Sequence, residues 1–286
     1  FFCRYETQRV FIFVSFLTRK KKMSFSTIIL FLLFSSVSLT NALQCTNICS
    51  FTRNLTTPFS IPDSCNHTIL SGKCVAQIEF WYNRQEYDVN FRGDASVTIR
   101  TGDNKRSVIV KVSTDSLSSF FSYSILRTCQ DTDDCARDLI ENIANEMLSR
   151  QYDYSKIMND VRSLISGPPL TPEKPNLNCF NEYNNEIPCA SLTKLATCKI
   201  SDEIFSDKIS TKCDTEFVTG PTSLYIYQSE INDKFAQFDV YCNQSICNSR
   251  TTLQSAKDLM LKYNVTINQD GLLANSMSQL VYSIFI

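Results

Sequence analysis

Carboxylates and aromatic side chains lie close together in the first half of the chain, where Glu79, Glu86 and Asp88 flank Trp81 and Tyr82. Glycoside hydrolases place two carboxylates around the bond they cleave, and sugar-binding faces present aromatic rings. The alternation of polar and apolar residues around Trp81 predicts a strand, on which these carboxylates are simply outward-facing side chains. We therefore predict a possible binding face at Glu79, Trp81 and Tyr82, and no catalytic site.

The sequence lacks the residues that other catalytic mechanisms need. The single histidine, His67, lies in a glycosylation sequon beside Cys65, so a serine or threonine nucleophile has no well-placed base. No G-x-S-x-G motif occurs in the sequence, and six scattered glycines cannot form a phosphate-binding loop. We predict that the protein is not an enzyme and that it has neither a cofactor nor a metal site.

An acidic cluster at Asp131, Asp133 and Asp134 could bind calcium. Acidic residues also suit the amino terminus of a helix because of the helix dipole, and a helical pattern follows this cluster. The corresponding loop of the second half, residues 243 to 246, contains no acid, which excludes a calcium site common to both halves.

Thirteen cysteines in 286 residues indicate a disulfide-rich extracellular protein. Two close pairs, Cys129 with Cys135 and Cys242 with Cys247, fit no redox motif, and we predict that each of these cysteines joins a different part of its own half. Six cysteines in a half allow 15 pairings, and nothing local selects one. The cysteines predicted to form disulfides are Cys45, Cys49, Cys65, Cys74, Cys129, Cys135, Cys179, Cys189, Cys198, Cys213, Cys242 and Cys247.

The amino-terminal segment, residues 1–42, is typical of a leader followed by a signal peptide. The apolar run from Thr27 to Leu39 is short for a membrane span, and small residues follow it up to Ala42, after which we expect cleavage. The alternative is a single-pass membrane protein in which residues 24–42 remain as an uncleaved signal anchor, with the basic residues 19–22 in the cytoplasm. A membrane partner is expected only in that alternative.

Charge and sequons agree with export. The chain carries 28 basic and 29 acidic residues; loss of residues 1–42 removes six and one of them, which leaves 22 and 28 and a net charge of about −6. This balance lacks the basic surface that nucleic-acid binding requires. Loss of Cys3 with the same segment leaves an even number of cysteines. The sequons predicted to carry glycans are Asn54, Asn66, Asn243 and Asn264.

A proline-rich linker at residues 167–175 divides the remaining chain into a first cysteine-rich unit, 43–166, and a second one, 176–286, with six cysteines each. Both units end in a strand, a close cysteine pair, an amphipathic helix and a segment with tyrosine and isoleucine. This order predicts a tandem duplication.

Periodicity predicts the elements of both halves. Strands are expected at 75–82, 87–91, 96–101, 107–113 and 121–129, and then at 215–218, 224–228 and 235–242. Helices are expected at 136–147, capped by Thr132 or Asp133, and at 157–165, 253–263 and 272–284. The predicted fold class is α+β, with two tandem disulfide-stapled units, each a small antiparallel sheet followed by one or two amphipathic helices.

These observations predict a secreted, non-catalytic recognition protein that binds an extracellular protein or a glycan. Two alternatives stay open from the sequence. One is a secreted hydrolase that uses Glu79, Glu86 or Asp88, and the other is a protease inhibitor or toxin-like effector.

Overall fold

The computed structural model describes residues 42–94, 104–113, 118–167, 177–189, 196–214, 222–229 and 235–273. Several predictions lie outside these ranges: the signal segment up to residue 41, Cys3, the strands at 96–101 and 215–218, the linker beyond Gly167, and the helix at 272–284 beyond Leu273. Within the described ranges, no helix is long and apolar enough to cross a membrane.

The described chain is mostly β, with thirteen strands and three helices. The strands are β1 Leu43–Thr46, β2 Cys49–Asn54, β3 Thr68–Ser71, β4 Lys73–Trp81, β5 Glu86–Asp94, β6 Lys105–Lys111, β7 Phe120–Cys129, β8 Leu177–Phe180, β9 Glu186–Cys189, β10 Thr197–Glu203, β11 Lys208–Asp214, β12 Ser223–Ser229 and β13 Phe235–Cys242. The helices are α1 Cys135–Ser149, α2 Tyr154–Ile165 and α3 Arg250–Lys262.

Nine strands form one antiparallel sheet in the order β11-β10-β13-β12-β6-β7-β4-β5-β2. At its centre β6 pairs with β12 in a register that runs from Lys105 opposite Ser229 to Lys111 opposite Ser223. The predicted fold class of two small sheets with their own helices was therefore wrong. A strand at the edge of a sheet leaves half of its backbone groups unpaired, and here the edge strands of the two halves satisfy each other.

Alternating burial divides the sheet into two faces. In β4 the side chains of Ile78 and Phe80 are fully buried, whereas Glu79 and Trp81 are partly exposed. The buried side chains join one hydrophobic core with the inward residues of the helices. We call the other face, which carries Glu79 and Trp81 and on which no described helix lies, the open face.

The helices are amphipathic, as predicted, and two of them have polar N-caps. The carboxylate of Asp153 accepts a hydrogen bond from the backbone N–H of Lys156 at the start of α2, and Ser249 accepts one from Thr252 at the start of α3. The cap predicted for α1 was wrong, because its N-cap is Asp134 in a left-handed conformation with φ of 51° and no side-chain cap bond.

Six disulfides link the twelve predicted cysteines, which confirms the disulfide-rich character. In each close pair the two cysteines form a disulfide with each other, so the prediction that they join different parts of each half was wrong. A strand that reverses directly into a helix brings the two Cα atoms of each close pair to 6.1 Å, within disulfide reach. The pairs are Cys45–Cys74, Cys49–Cys65, Cys129–Cys135, Cys179–Cys198, Cys189–Cys213 and Cys242–Cys247.

Candidate functional site

The predicted binding face lies on two neighbouring strands at one end of the open face. In the β4–β5 ladder Glu79 lies opposite Asp88, and Trp81 lies opposite Glu86, so the four side chains share one face of the sheet. The strands are joined by a tight turn that contains Arg84, whose side chain returns over the same face. We call this group, completed by Thr52 of β2, the Trp81 surface.

Tyr82 does not belong to the Trp81 surface. Side chains alternate along a strand, and the ring of Tyr82 lies on the helix side of the sheet, where it is only 4% exposed. It stacks on Phe121 with ring centroids 4.6 Å apart and meets the edge of Tyr152 at 5.0 Å. The structure thus brings Glu79 and Trp81 together and places Tyr82 behind them.

Asp88 organises the Trp81 surface by accepting several hydrogen bonds. The indole N–H of Trp81 donates to Oδ2 at 3.0 Å, and Arg84 donates to the same oxygen at 3.4 Å. The hydroxyl of Thr52 donates to Oδ1 at 2.6 Å. Both carboxylate oxygens are therefore engaged, and the tryptophan ring is held in one orientation.

Arg84 also covers the tryptophan ring. Its guanidinium carbon lies 4.4 Å from the ring centroid, a cation–π contact. The ring of Phe120 packs beside the indole, with centroids 5.6 Å apart. Neither Arg84 nor Thr52 was singled out from the sequence. The signal that could have identified Arg84 is its position in the tight turn three residues after Trp81.

The carboxyl group of Glu79 is partly buried and lies opposite Asp88. Partial burial raises its pKa above 4.5, the nearby charge of Asp88 raises the pKa further, and Arg84 partly opposes both effects. A raised pKa is what a general acid needs. A glycosidase also needs a second carboxylate; Asp88 accepts from three donors, and Glu86 lies 3.8 Å from the guanidinium of Arg84.

The raised pKa of Glu79 implies that the stability of the protein depends on pH. Because the folded state binds this proton more tightly than the unfolded state, the stability that Glu79 contributes is fully present below about pH 4.5 and is lost as the pH rises through the folded-state pKa. Glu79→Gln should therefore gain stability relative to the wild type on going from pH 4 to pH 7. Urea unfolding at both values measures the difference.

A matched control is Glu141→Gln, which changes an exposed glutamate on α1. Its stability relative to the wild type should change less between the two pH values than that of Glu79→Gln, because an exposed side chain keeps its hydration. A Glu79→Gln difference that is independent of pH would contradict the effect of burial and of Asp88 on this carboxyl.

A second polar cluster lies at the other end of the open face and was missed from the sequence. Asp239 is 3% exposed and accepts from Lys199 Nζ at 2.8 Å and from Gln237 Nε2 at 2.8 Å. Ser201 also donates to Asp239, and the ammonium of Lys199 lies 4.9 Å from the Tyr241 ring centroid. Each charge has its partner within the cluster, which is what a buried structural network requires.

The acidic cluster before α1 is used within the fold. Asp133 accepts the backbone N–H of Gln44 at 2.8 Å, and Asp134 accepts both the N–H of Thr46 at 2.8 Å and its hydroxyl. These carboxylates fasten β1 to the start of α1. The sulfurs that lie near Asp131 belong to the Cys129–Cys135 disulfide, so they are not free to ligate a metal.

The other sequence-derived residues are scattered over the surface. His67 is exposed, and no described contact links it to the carboxylates of the Trp81 surface. Three sequon asparagines, Asn54, Asn66 and Asn264, are exposed. Asn243 is partly buried, and its side-chain oxygen accepts the N–H of Gly167 at 2.7 Å.

No protein-family model matches the chain, and no curated protein is significantly similar to it.

Proposed function

We propose that this is a secreted, non-catalytic recognition protein that binds an extracellular protein through the Trp81 surface. The observation that carries the proposal is Trp81 itself, a partly exposed tryptophan held rigid by Asp88 and Arg84 on the open face. Tryptophan and arginine are the residues most enriched among binding hot spots. A surface that is already ordered before binding loses less conformational entropy when a partner docks.

The position of Arg84 favours a protein over a glycan. A sugar ring stacks on an uncovered aromatic face, but one face of Trp81 is occupied by the guanidinium at 4.4 Å. Protein interfaces use such tryptophan–arginine pairs directly, through their edges and through hydrogen bonds. The Trp81 surface holds three carboxylates and one guanidinium, so a partner with basic side chains matches it electrostatically.

Secretion is part of the same proposal. Six disulfides fit an oxidising, extracellular compartment. The apolar segment before Ala42 has the composition of a signal peptide. Glycans are proposed at the sequons, with Asn54, Asn66 and Asn264 favoured because these side chains are exposed.

We also propose that the sheet arose by tandem duplication. The strand order β5-β4-β7-β6 of the first half corresponds to β11-β10-β13-β12 of the second. In both halves, the residue before the second cysteine of the close pair has a left-handed backbone conformation, with φ of 51° at Asp134 and 53° at Ile246. Its N–H donates to the first strand of each half, at Gln44 and Asn178. Agreement in order, conformation and bonding supports a common origin.

Loss of the tryptophan should remove partner binding without unfolding the protein. In a screen of the secreted protein against arrayed extracellular proteins and a glycan array, we expect a protein ligand whose affinity falls about tenfold or more with Trp81→Ala. Surface plasmon resonance measures the affinity, and circular dichroism checks the fold. Tyr183→Ala is the matched control, because Tyr183 is an aromatic residue that is 76% exposed elsewhere.

The alternatives give different results in the same screen. A glycan ligand whose binding depends on Trp81 would replace the protein proposal with lectin activity. Turnover of a polysaccharide that Glu79→Gln abolishes would instead establish a carboxylate hydrolase. Equal loss of binding with Trp81→Ala and Tyr183→Ala would show that the Trp81 surface is not the site.

A further inference from the structure

The strand β11 forms one edge of the nine-stranded sheet and is the counterpart of β5 in the first half. Cys74 of β4 lies opposite Gly93 of β5, and Cys198 of β10 lies opposite Cys213 of β11. On the other side of each strand, the same two cysteines lie opposite the cysteine that ends β7 or β13. These registers fix which residues of β5 and β11 correspond.

The short hairpins that pack on the two strands correspond in the same way. Ser71 ends β3 and Cys189 ends β9 at the same point of the two hairpin ladders. A Cβ atom at Gly93 would lie 3.0 Å from the Cβ of Ser71, and at the corresponding positions Cys213 and Cys189 form a disulfide. The hairpin β8–β9 therefore lies on β11 as β1–β3 lies on β5.

The first half has one strand that the second half lacks. The chain between β1 and β3, residues 47–67, contains β2, which pairs with the outer edge of β5. The chain between β8 and β9 is only a tight turn, residues 181–185. Among the strands that the structure describes, none pairs with the outer edge of β11, and in the described ranges the backbone of residues 208–213 makes no hydrogen bond outside its ladder with β10. An edge of this kind is a template for a further strand.

Side chains on the helix side of β11 are less buried than their counterparts on β5. By the registers, Ile209 and Thr211 correspond to Val89 and Phe91. Val89 and Phe91 are 1% and 2% exposed, and Val89 lies opposite Phe51 of β2. Ile209 and Thr211 are both partly exposed. A strand beside β11 would therefore cover apolar side-chain surface as well as bond to the backbone, and extended peptides bind at sheet edges through these two contributions.

Charge on β11 indicates which strand fits. Its exposed side chains on the open face are Lys208, Ser210 and Lys212, and the lysines are 66% and 60% exposed. A second copy of the chain fits poorly, because antiparallel pairing of residues 208–212 with themselves puts Lys208 opposite Lys212, and like charges directly opposite destabilise a sheet. In the first half Thr52 of β2 complements Asp88, the counterpart of Lys208, with a hydrogen bond of 2.6 Å. A strand with two carboxylates four residues apart would complement β11 in the same way.

We propose that β11 binds an extended acidic segment of a partner protein, which pairs antiparallel with residues 208–212 as β2 pairs with β5. The carboxylates of this segment face Lys208 and Lys212 on the open face, and its intervening apolar side chains lie beside Ile209 on the helix side. β11 and β2 are at opposite ends of the strand order, so this site is separate from the Trp81 surface and does not depend on the proposed function.

Two peptides of five residues test the charge pattern. The acidic peptide is Glu-Val-Thr-Val-Glu and the basic one is Lys-Val-Thr-Val-Lys, both blocked at their ends and labelled with a neutral fluorophore. By fluorescence anisotropy, the wild-type protein should bind the acidic peptide about tenfold more tightly than the basic one. Lys208→Gln with Lys212→Gln should weaken binding of the acidic peptide about fivefold, the factor for two exposed cross-strand charge pairs.

A matched control removes the same charge from another surface. Lys156→Gln with Arg250→Gln changes two exposed residues on α2 and α3, and it should bind the acidic peptide as the wild type does. Equal weakening by the two double variants would show that net charge alone attracts the peptide, which would overturn a site on β11.

N-methylation of the acidic peptide tests backbone pairing. In an extended strand the N–H groups of the first, third and fifth residues point to one side and those of the second and fourth to the other, so only one set faces β11. Methylating that set should abolish binding, because a methyl group removes the donor and occupies the place of the bond. Methylating the other set should leave the affinity unchanged, and hydrogen exchange should slow in β11 when the unmethylated peptide binds.

Three other results would overturn the proposal. They are the absence of saturable binding of the acidic peptide, equal affinity of the two methylated peptides, and hydrogen-exchange protection confined to strands other than β11. A dimer in analytical ultracentrifugation that Lys208→Gln with Lys212→Gln strengthens would assign this edge to a second copy of the chain instead of an acidic partner.

Discussion

Lys257→Met is expected to lower the free energy of unfolding by about 3–5 kcal/mol, because it leaves a buried carboxylate without its counter-charge. Lys257 lies on α3 and is 7% exposed, and its ammonium donates to Asp202 of β10, which is also 7% exposed. Neither charge can recover its hydration while the protein is folded. Chemical denaturation at neutral pH, followed by circular dichroism, measures the loss.

The size of this effect comes from burial rather than from the ion pair as such. Lys208→Met breaks an ion pair at the neighbouring hairpin, where Lys208 and Glu203 are 66% and 38% exposed and 3.4 Å apart. Because water and salt screen such a pair, this control should lose less than about 1 kcal/mol.

The double variant Asp202→Leu with Lys257→Met separates the two contributions. It removes both charges, and buried ion pairs replaced by apolar residues are often neutral in stability, so most of the loss should be recovered. A single Lys257→Met variant as stable as Lys208→Met would show that α3 does not hold Asp202 in a dry environment.

Periodicity in the sequence was enough to predict strands β4 to β7, β12 and β13 and all three described helices, because their apolar residues repeat at the expected intervals. The short or exposed strands β1, β2, β3, β8, β9 and β11 were not predicted. Among the predicted strands, β5 is an example, with Tyr87, Val89 and Phe91 buried in alternation. Such a pattern reports which face of a strand is buried and carries no information about its lateral neighbour. The pairing of β6 with β12, which joins the two expected sheets into one, could therefore not be predicted from periodicity.

The strand β10 was missed for a different reason. β10 buries Ser201 and Asp202 on opposite faces, so its sequence shows no apolar alternation. Each of these polar side chains is buried because a partner elsewhere satisfies it, Asp239 for the first and Lys257 for the second. Sequence-based reasoning treats a polar residue as exposed unless the partner is known.

The candidate site was predicted in part. The alternation of polar and apolar residues was sufficient to place Glu79 and Trp81 on one outward face. The register of β4 with β5 then puts Asp88 beside them. A cavity on the helix side of β4 could not be predicted, because its walls come from segments that are about 90 residues apart, such as Leu55 and Met147. Only the folded chain brings them together.

The two halves use different residues to fasten their first strands to the start of the helix that follows the close cysteine pair. In the first half Asp134, just before Cys135, accepts the N–H of Thr46 at 2.8 Å. In the second half the residue just after Cys247, Asn248, takes the same role toward Phe180 of β8. Asn248 is fully buried, so its substitution should destabilise the protein strongly.

Asn248→Leu is expected to lower the free energy of unfolding by about 3 kcal/mol or more, because three backbone groups would lose their partners. Asn248 accepts the N–H of Phe180 at 2.9 Å and donates to the carbonyls of Phe180 at 2.7 Å and Lys199 at 3.2 Å. Leucine has a similar volume but can make none of these bonds. Hydrogen exchange should also show faster exchange in β8 before global unfolding, since this side chain joins β8 to β10.

Asn142→Leu provides the matched control, since Asn142 is exposed on α1 and, among the described residues, donates one hydrogen bond, to the carbonyl of Asp138 at 3.0 Å. It should change stability by no more than about 0.5 kcal/mol. Asn248→Asp should be at least as harmful as Asn248→Leu, because it keeps the acceptor but turns a negative charge toward two carbonyl oxygens in a buried site. If Asn248→Asp proved as stable as the wild type, the two donated bonds would have no net effect, and β8 would have to be held to the sheet mainly by the Cys179–Cys198 disulfide.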